Sequence, residues 1–581
     1  MSSTTRTRPR GTSLALTLTL TTGALLTACA GVDPDSTPRG LGTDPAGRCI
    51  EMVAPVPASD ITIPSGSARI ESATLVAATP LAVAERAPTP AGRITPATPA
   101  HCRVIGAIDP IDPKAPVIRF QVNLPVQWNG RMVQYGGGGF NGTLVNGLAL
   151  LPAARFDTPS PLAQGYMTVG TDSGHQTAPG QPPQAFALND EALLNFAHAS
   201  YKKVRDVAML MAWRAYDRRP VKSYFLGSSE GGREALTMAQ RYPDDFNGIF
   251  ARVPVINWTG LQHAGTRAGM ATMGEGWLRP GQVKLVGDAV LAACDASDGV
   301  ADGVVSDAVG CKQRFDVTRL RCAAGTSAGA SGGASSDACL SDAQVKAVQT
   351  LHAPFRFSFP LANGVTEYPG WGVSGEALPA AGPTGGWSAW WLGSAAPALP
   401  PLPNNGIAWQ FGSGAIRYFY ARDARADLMQ YTPEKFADRV REVSALMDAT
   451  NPDLTPFAAR GGKLLMLENM ADYAQSPYAG IGYYQAVVAR LGQANADKFV
   501  KLYTAPGVDH VGSGAPGNVD MLAALVDWVE RGKAPANLQI VEQALQPPFA
   551  VTRARPLCEW PRWPRFKGGD AALAASFECV P

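Results

Sequence analysis

An α/β fold, with a mainly parallel sheet, helices on both faces and one large insertion, is what this sequence predicts. Three observations predict it. Strand-like and helix-like segments alternate from about residue 60 to residue 256. From 257 to 458 the chain turns rich in Gly, Pro, Ala and Trp, and it holds the low-complexity run Gly325 to Ser336. Alternation then resumes near Gly461 and continues through an amphipathic stretch ending at Arg531. Strands alternating with helices specify parallel neighbours joined by crossovers. The interruption reads as a lid inserted into one sheet, so the α/β domain comprises 46–256 and 459–581 around a lid domain at 257–458.

The elements follow in order. Arg131 to Tyr135 is a short strand running into four glycines, 136–139. Tyr166 to Val169 is a strand that ends at "GTDSGH". Asn195 to Tyr216 has helical periodicity, Val221 to Leu226 is a buried strand, and Arg233 to Arg241 is a helix. Beyond the insertion, Lys463 to Leu467 and Phe499 to Tyr503 are strands, and Tyr483 to Leu491 and Val519 to Arg531 are helices.

The first 45 residues read as address and tether. Arg6, Arg8 and Arg10 precede an apolar run from Leu14 to Leu26, too short to span a bilayer comfortably. The run ends in Leu-Thr-Ala-Cys at 26–29, which resembles a bacterial lipobox. Residues 1–28 are then a lipoprotein signal peptide, Cys29 the lipidated first mature residue, and 29–45 a tether. The expectation is an exported protein, on the periplasmic face or cell surface, that meets the membrane only through that anchor.

Eight cysteines remain: Cys49, Cys102, Cys294, Cys311, Cys322, Cys339, Cys558 and Cys579. An even set in an oxidising compartment points to four disulfides, and sequential pairing is the simplest of many arrangements. No Cys-x-x-Cys spacing supports a thiolate metal site. The 50 basic and 48 acidic residues nearly cancel, so nothing points to nucleic acid or an anionic surface.

The chemistry concentrates in "YFLGSSEGGRE". Gly227-Ser228-Ser229-Glu230-Gly231 fits Gly-x-Ser-x-Gly between a strand and a helix, the setting of a nucleophile elbow. Ser229 is the predicted nucleophile. It needs a base, and in this fold the base follows the last strand. Of six histidines, His510 in "APGVDHVGSG" has that position. The orienting acid should follow the preceding strand. Asp472 in "LLMLENMADYAQSP" is favoured, with Glu468 and Asp509 as competitors. The oxyanion donors are expected to be the backbone N–H of Glu230 and one from the glycine run, at Gly136 or Gly137.

A second cluster is "CDASDGVADGVVSD". Asp295, Asp298 and Asp302, interleaved with glycines, suit a hard cation with oxygen ligands, calcium in an exported protein. Between 371 and 411 stand Trp371, Trp387, Trp390, Trp391, Trp409 and Phe411, dense enough to hold an aromatic acyl group. Arg417 could pair with a substrate carboxylate.

Together these motifs, with "GGGGFNG", "CDASDGVADG", "GVDH" and "ARPLCEWP", resemble the tannase and feruloyl esterase family of α/β-hydrolases, from about residue 49 to the C-terminus. The resemblance implies an α/β-hydrolase fold with a lid and the triad Ser229, Asp472 and His510. It implies structural calcium held by Asp295, Asp298 and Asp302 and by the carbonyls of Val300 and Val304. It also implies disulfides 49–102, 294–311, 322–339 and 558–579, and Trp391 as the lid residue facing substrate. There is one departure. Family members commonly join a cysteine before the nucleophile to one after the histidine, and here those positions are Ser228 and Val511.

The expected protein is a serine esterase for esters of phenolic or terephthalate-like acids. Two alternatives stand beside it: an esterase for aliphatic or polyester-fragment esters, and a non-catalytic binding protein on the same fold.

Overall fold

The computed structural model describes residues 39–87, 89–323, 337–378 and 386–581. The signal-like segment 1–28, Cys29 and the low-complexity run 325–336 lie outside the described residues. Pro38–Pro581 is one compact unit.

Ten strands form its central sheet: β1 Ala68–Val76, β2 His101–Ile108, β3 Ile118–Pro125, β4 Arg131–Tyr135, β5 Met167–Thr171, β6 Lys222–Ser228, β7 Gly248–Arg252, β8 Lys463–Asn469, β9 Val500–Ala505 and β10 Cys558–Glu559. Their spatial order is β10-β9-β8-β7-β6-β4-β5-β3-β2-β1. The six strands β5, β4, β6, β7, β8 and β9 run parallel. The sheet is mixed at its ends: β1, β2 and β3 form an antiparallel run onto β5, and β10 runs antiparallel to β9. The short link from β2 to β3 has no room for the crossover a parallel pair requires.

Seven helices matter here: α1 Ser200–Tyr216, α2 Glu230–Arg241, α3 Trp258–Ala271, α4 Ile407–Ala415, α5 Ala437–Met447, α6 Pro477–Leu491 and α7 Met521–Arg531. The predicted 195–216 helix begins earlier, at Asp190, and passes through a π turn at Asn195–Ala199 before α1. The alternating side chains of each strand feed two cores. Leu464, Met466 and Ile249 pack with α1, α2 and α6, while Leu465, Leu467 and Phe250 pack with α7. That is why the strands read as unbroken apolar runs, since both faces are covered.

β7 and β8 are sheet neighbours, yet residues 253–462 separate them. This stretch carries α3, α4 and α5. It builds an aromatic core of its own around Trp258, Trp409, Phe419 and Tyr420.

Part of the segment read as tether belongs to the fold: Arg39–Gly40 pairs with Gln127–Trp128, and Leu41 is buried in the core. Burial of one leucine and a two-residue strand were not visible in a segment rich in Gly and Pro. Four disulfides are present, Cys49–Cys102, Cys294–Cys311, Cys322–Cys339 and Cys558–Cys579.

Candidate active site

Ser229 stands between the end of β6 and the start of α2 with φ +61° and ψ −122°. A non-glycine residue in this region is held there by its surroundings. Its N–H donates to the Arg252 carbonyl at 3.0 Å, and its carbonyl accepts from Val255 N–H at 3.1 Å. The flanking glycines are required by close approach. A Cβ at Gly227 would lie 2.0 Å from the Gly231 carbonyl oxygen, and one at Gly231 would lie 2.6 Å from the Gly137 oxygen.

His510 Nε2 lies 3.0 Å from Ser229 Oγ, and its Nδ1 lies 2.7 Å from Asp472 Oδ2. The other oxygen of Asp472 accepts from the N–H groups of Ala474 (2.7 Å) and Gln475 (3.0 Å), which fixes the carboxylate plane. The two competing acids are occupied otherwise. Asp509 accepts from Val511 N–H and Ser513 N–H and so closes the loop that carries His510. Glu468 is fully buried, accepts from Gln475 Nε2, and burial raises its carboxyl well above the usual range. Asn469 at the end of β8 donates to the Asp509 carbonyl at 2.6 Å and links the acid loop to the histidine loop.

The N–H of Glu230 opens α2, where helical geometry leaves it without an intrahelical acceptor. Its side chain is committed to the wholly buried Arg233, whose Nε donates to it at 2.7 Å. The glycine run differs from expectation. Gly136 N–H donates to Leu226 O, and Gly137 N–H donates to Glu234 Oε2 at 2.8 Å. Both are therefore already committed, and the member of the run that lines the cavity beside Ser229 is Gly139. Extending the β4–β6 ladder by one residue uses the first glycine, and the buried Glu234 captures the second. Glu234 also accepts from Asn141, which in turn bonds Tyr201. Glu234 and Asn141 were not singled out from sequence; charged and polar residues inside "GGRE" and "GGFNG" were their only signal.

A cavity of about 170 Å³ opens at Ser229 and His510. Its walls include Phe140, Val255, Trp258, Leu261, Trp390 and Phe411, with Gln262 and Gln475 as amides. Phe411 meets Phe140 and Trp390 edge-on, at ring centroids 4.9 and 5.7 Å apart, and Trp390 lies 6.1 Å from the His510 ring. Trp391 is turned the other way. It is buried against Trp371, 4.4 Å between centroids, in a separate core, so Trp390 takes the position expected of Trp391. Adjacent residues on a helical turn face different sides, and sequence could not say which faced the site. Arg417, on the Ile416–Tyr420 π turn, is not among the residues lining the cavity.

In the acidic loop, Asp295 accepts from the N–H groups of Asp302 and Gly303, and Asp298 from that of Val300. Asp302 accepts from Val304 N–H and pairs with Arg555. Among the described residues Asp298 Oδ2 is buried without a well-formed hydrogen bond, and burial, reinforced by Asp302 and Asp295 and opposed by the Ser306 hydroxyl and Val300 N–H, raises the Asp298 carboxyl. Among the described residues no group of three His, Cys, Asp or Glu side chains is disposed as a metal cage.

Residues 102–580 match the family described as Tannase and feruloyl esterase. The chain is 35% identical over 552 residues to an uncharacterized esterase of Agrobacterium fabrum, covering 92% of this chain and 93% of that one. It is 33% identical to the mono(2-hydroxyethyl) terephthalate hydrolase of Piscinibacter sakaiensis, covering 84% and 86%. The fold is that of feruloyl esterase B from Aspergillus oryzae, with TM-score 0.72, 24% identity and coverage of 92% and 100%. It also matches the tannin acyl hydrolase of Aspergillus niger, with TM-score 0.66, 21% identity and coverage of 88% and 92%. The chain therefore belongs to the tannase and feruloyl esterase family of carboxylic ester hydrolases, with an α/β-hydrolase fold.

Proposed function

We propose that this protein is an exported serine esterase that cleaves esters of small aromatic acids through Ser229, His510 and Asp472. One observation carries the reading: the hydrogen-bonded run from Asp472 through His510 to Ser229 opens into an aromatic-walled cavity.

Ser229 Oγ attacks the ester carbonyl carbon while His510 Nε2 takes its proton, and the carbonyl electron pair moves to oxygen. The N–H groups of Glu230 and of the turn at Gly139 are the proposed oxyanion donors. The carbonyl re-forms, the ester C–O bond breaks, and His510 returns the proton to the leaving alcohol. His510 then deprotonates a water molecule, which attacks the acyl-serine; collapse frees the acid and returns the proton to Ser229. Asp472 holds the imidazole in one tautomer throughout.

The acyl ring would lie against Trp390 and Phe411, with the Gln262 side-chain amide available to ring hydroxyls, while Gln475 is held by Glu468. About 170 Å³ is less than the ~300–1,000 Å³ typical of drug-sized ligands, which favours one ring over a long chain.

Calcium in the loop of Asp295, Asp298 and Asp302, with the Val300 and Val304 carbonyls, belongs to the same proposal in a structural role. Its support is the donor chemistry and the buried Asp298 oxygen that lacks a well-formed hydrogen bond among the described residues. Export, and anchoring at Cys29, rest on the lipobox-like start and on four disulfides, which suit an oxidising compartment.

The test is hydrolysis of methyl gallate, methyl ferulate, mono(2-hydroxyethyl) terephthalate and p-nitrophenyl acetate, with Ser229→Ala as control. Turnover of an aromatic ester that the variant lacks supports the proposal. Turnover of the acetate alone removes the aromatic specificity, and labelling of no serine by an active-site probe removes the triad.

A further inference from the structure

Ser228 ends β6 just before Ser229, and Val511 follows His510. One side chain occupies the junction between these two segments. Arg252 ends β7, directly opposite Ser228 in the ladder. Its backbone carbonyl receives the Ser229 N–H at 3.0 Å. Its side chain is 6% exposed, and Nη1 donates to Ser228 Oγ at 3.1 Å. On the other side the guanidinium abuts the histidine loop, where a Cβ added at Gly512 would stand 3.2 Å from Nη2. A cavity of about 280 Å³ lies behind the nucleophile, and Ser228, Arg252, Val511 and Gly512 all line it. One side chain thus spans the nucleophile strand and the histidine loop.

The charges around it make the same connection. Burial opposes the Arg252 cation, and the carboxylates of Asp472 and Asp509 offset this most, followed by Tyr473 and Glu468. Glu468 lies on β8 and Asp472 on the loop that follows it, while Asp509 adjoins His510, so all three facing carboxyls belong to the segments that carry the base and its acid. Arginine stays protonated in proteins, so the charge is permanent. Nε and Nη2 are buried without hydrogen-bond partners among the described residues, as is Asp509 Oδ2. The cation is therefore held by the field of Asp472 and Asp509 above all, and by one hydrogen bond to the nucleophile strand. A charge so enclosed acts strongly on its neighbours.

We infer that Arg252 is a positioning residue, holding Ser228 and the His510 loop in register and biasing the Asp472–His510 pair electrostatically. The inference rests on the triad reading above. The link that Arg252 makes carries a charge.

The test uses the full chain and one ester it turns over, with Arg252→Met, Arg252→Lys and Ser228→Ala. Arg252→Met should lower kcat roughly 10–100-fold with KM within about twofold, as expected for a catalytic group displaced by on the order of 1 Å. Removing the cation favours the imidazolium, so the acid limb of kcat/KM should move to higher pH. Arg252→Lys keeps the charge and should restore the limb while recovering kcat only in part. Ser228→Ala, the milder variant should Arg252→Met fail to fold, should lower kcat about 3–10-fold by removing one charge-assisted hydrogen bond, with the limb unmoved. Wild-type kcat and limb in Arg252→Met overturn the inference. So does a Lys variant as impaired as Met with no movement of the limb, which would mark a packing role only. Turnover surviving in Ser229→Ala would instead overturn the triad reading, and the inference with it.

Discussion

His510 Nδ1 lies 2.7 Å from the Asp472 carboxylate, although 38 residues separate the two in the chain. β8 leads to Asp472 and β9 to His510, and the pair meets because these strands are parallel neighbours. Asp472→Asn keeps the shape but offers the imidazole the wrong partner. Its kcat should fall by about 10⁴, with KM little changed. Glu468→Gln should leave kcat within about threefold, since Glu468 lies outside the triad and accepts from Gln475 Nε2, a bond that an amide oxygen also accepts.

Trp390 and Trp391 should separate binding from stability. Trp390 lines the cavity, so Trp390→Ala should cut kcat/KM for an aromatic ester by about 10–30-fold, as loss of an aromatic anchor does. Activity on p-nitrophenyl acetate should fall much less. Trp391 is packed in the core against Trp371, and Trp391→Ala should cost about 3–5 kcal/mol of stability. Kinetics and thermal denaturation of both variants read the two effects separately.

If the acidic loop holds calcium, chelation should lower the melting temperature. At ~100-fold excess over its Kd a bound ion stabilises by about 2.7 kcal/mol. Differential scanning fluorimetry with EGTA should show a drop that calcium reverses and magnesium does not. Asp298→Asn should start at the lower temperature and ignore the chelator. A wild type equally insensitive to EGTA would leave the loop held by its N–H groups and Arg555 alone.

His263 supplies a pH dependence. It is buried in the lid core, with Nδ1 facing Thr259 O and Nε2 facing Tyr431 Oη, each at 2.8 Å. Burial pushes it down to about 4. The unfolded chain therefore binds a proton at this histidine between about pH 6.5 and 4 while the folded protein does not. Stability contributed by the neutral ring is present above pH 6.5 and is lost as pH falls through that window. His263→Gln does not titrate, so the stability gap between wild type and variant should narrow on acidification by at most about 3 kcal/mol. Denaturant unfolding at pH 7.5, 5.5 and 4.5 measures it.

Much of this protein was readable from local pattern. The nucleophile turn announces itself because Gly227 and Gly231 must admit backbone at 2.0 and 2.6 Å, a demand only glycine meets. The parallel strands announce themselves because both faces are buried, which makes β7 and β8 continuous apolar runs. Ser229 and His510 followed from chain order once those strands were placed.

What local pattern could not carry is which atom faces which. Chain position favours Asp472 over Asp509 and Glu468, but only the tertiary path assigns one to the imidazole, one to a turn and one to a buried site beside Gln475. Gly136 and Gly137 look like free donors until the neighbouring strand and Glu234 claim their N–H groups. Trp390 and Trp391 exchange roles through the rotation of one helical turn. Arg252 carries no motif at all, and its meaning comes from lying opposite Ser228 across a strand pair and beneath the His510 loop. The sequence by itself determined the fold, the family and the residues able to do the chemistry, because these depend on periodicity, steric demand and chain order. The tertiary structure alone decided the partners, because hydrogen bonds and charges act over a few ångströms between residues that lie tens to hundreds of positions apart.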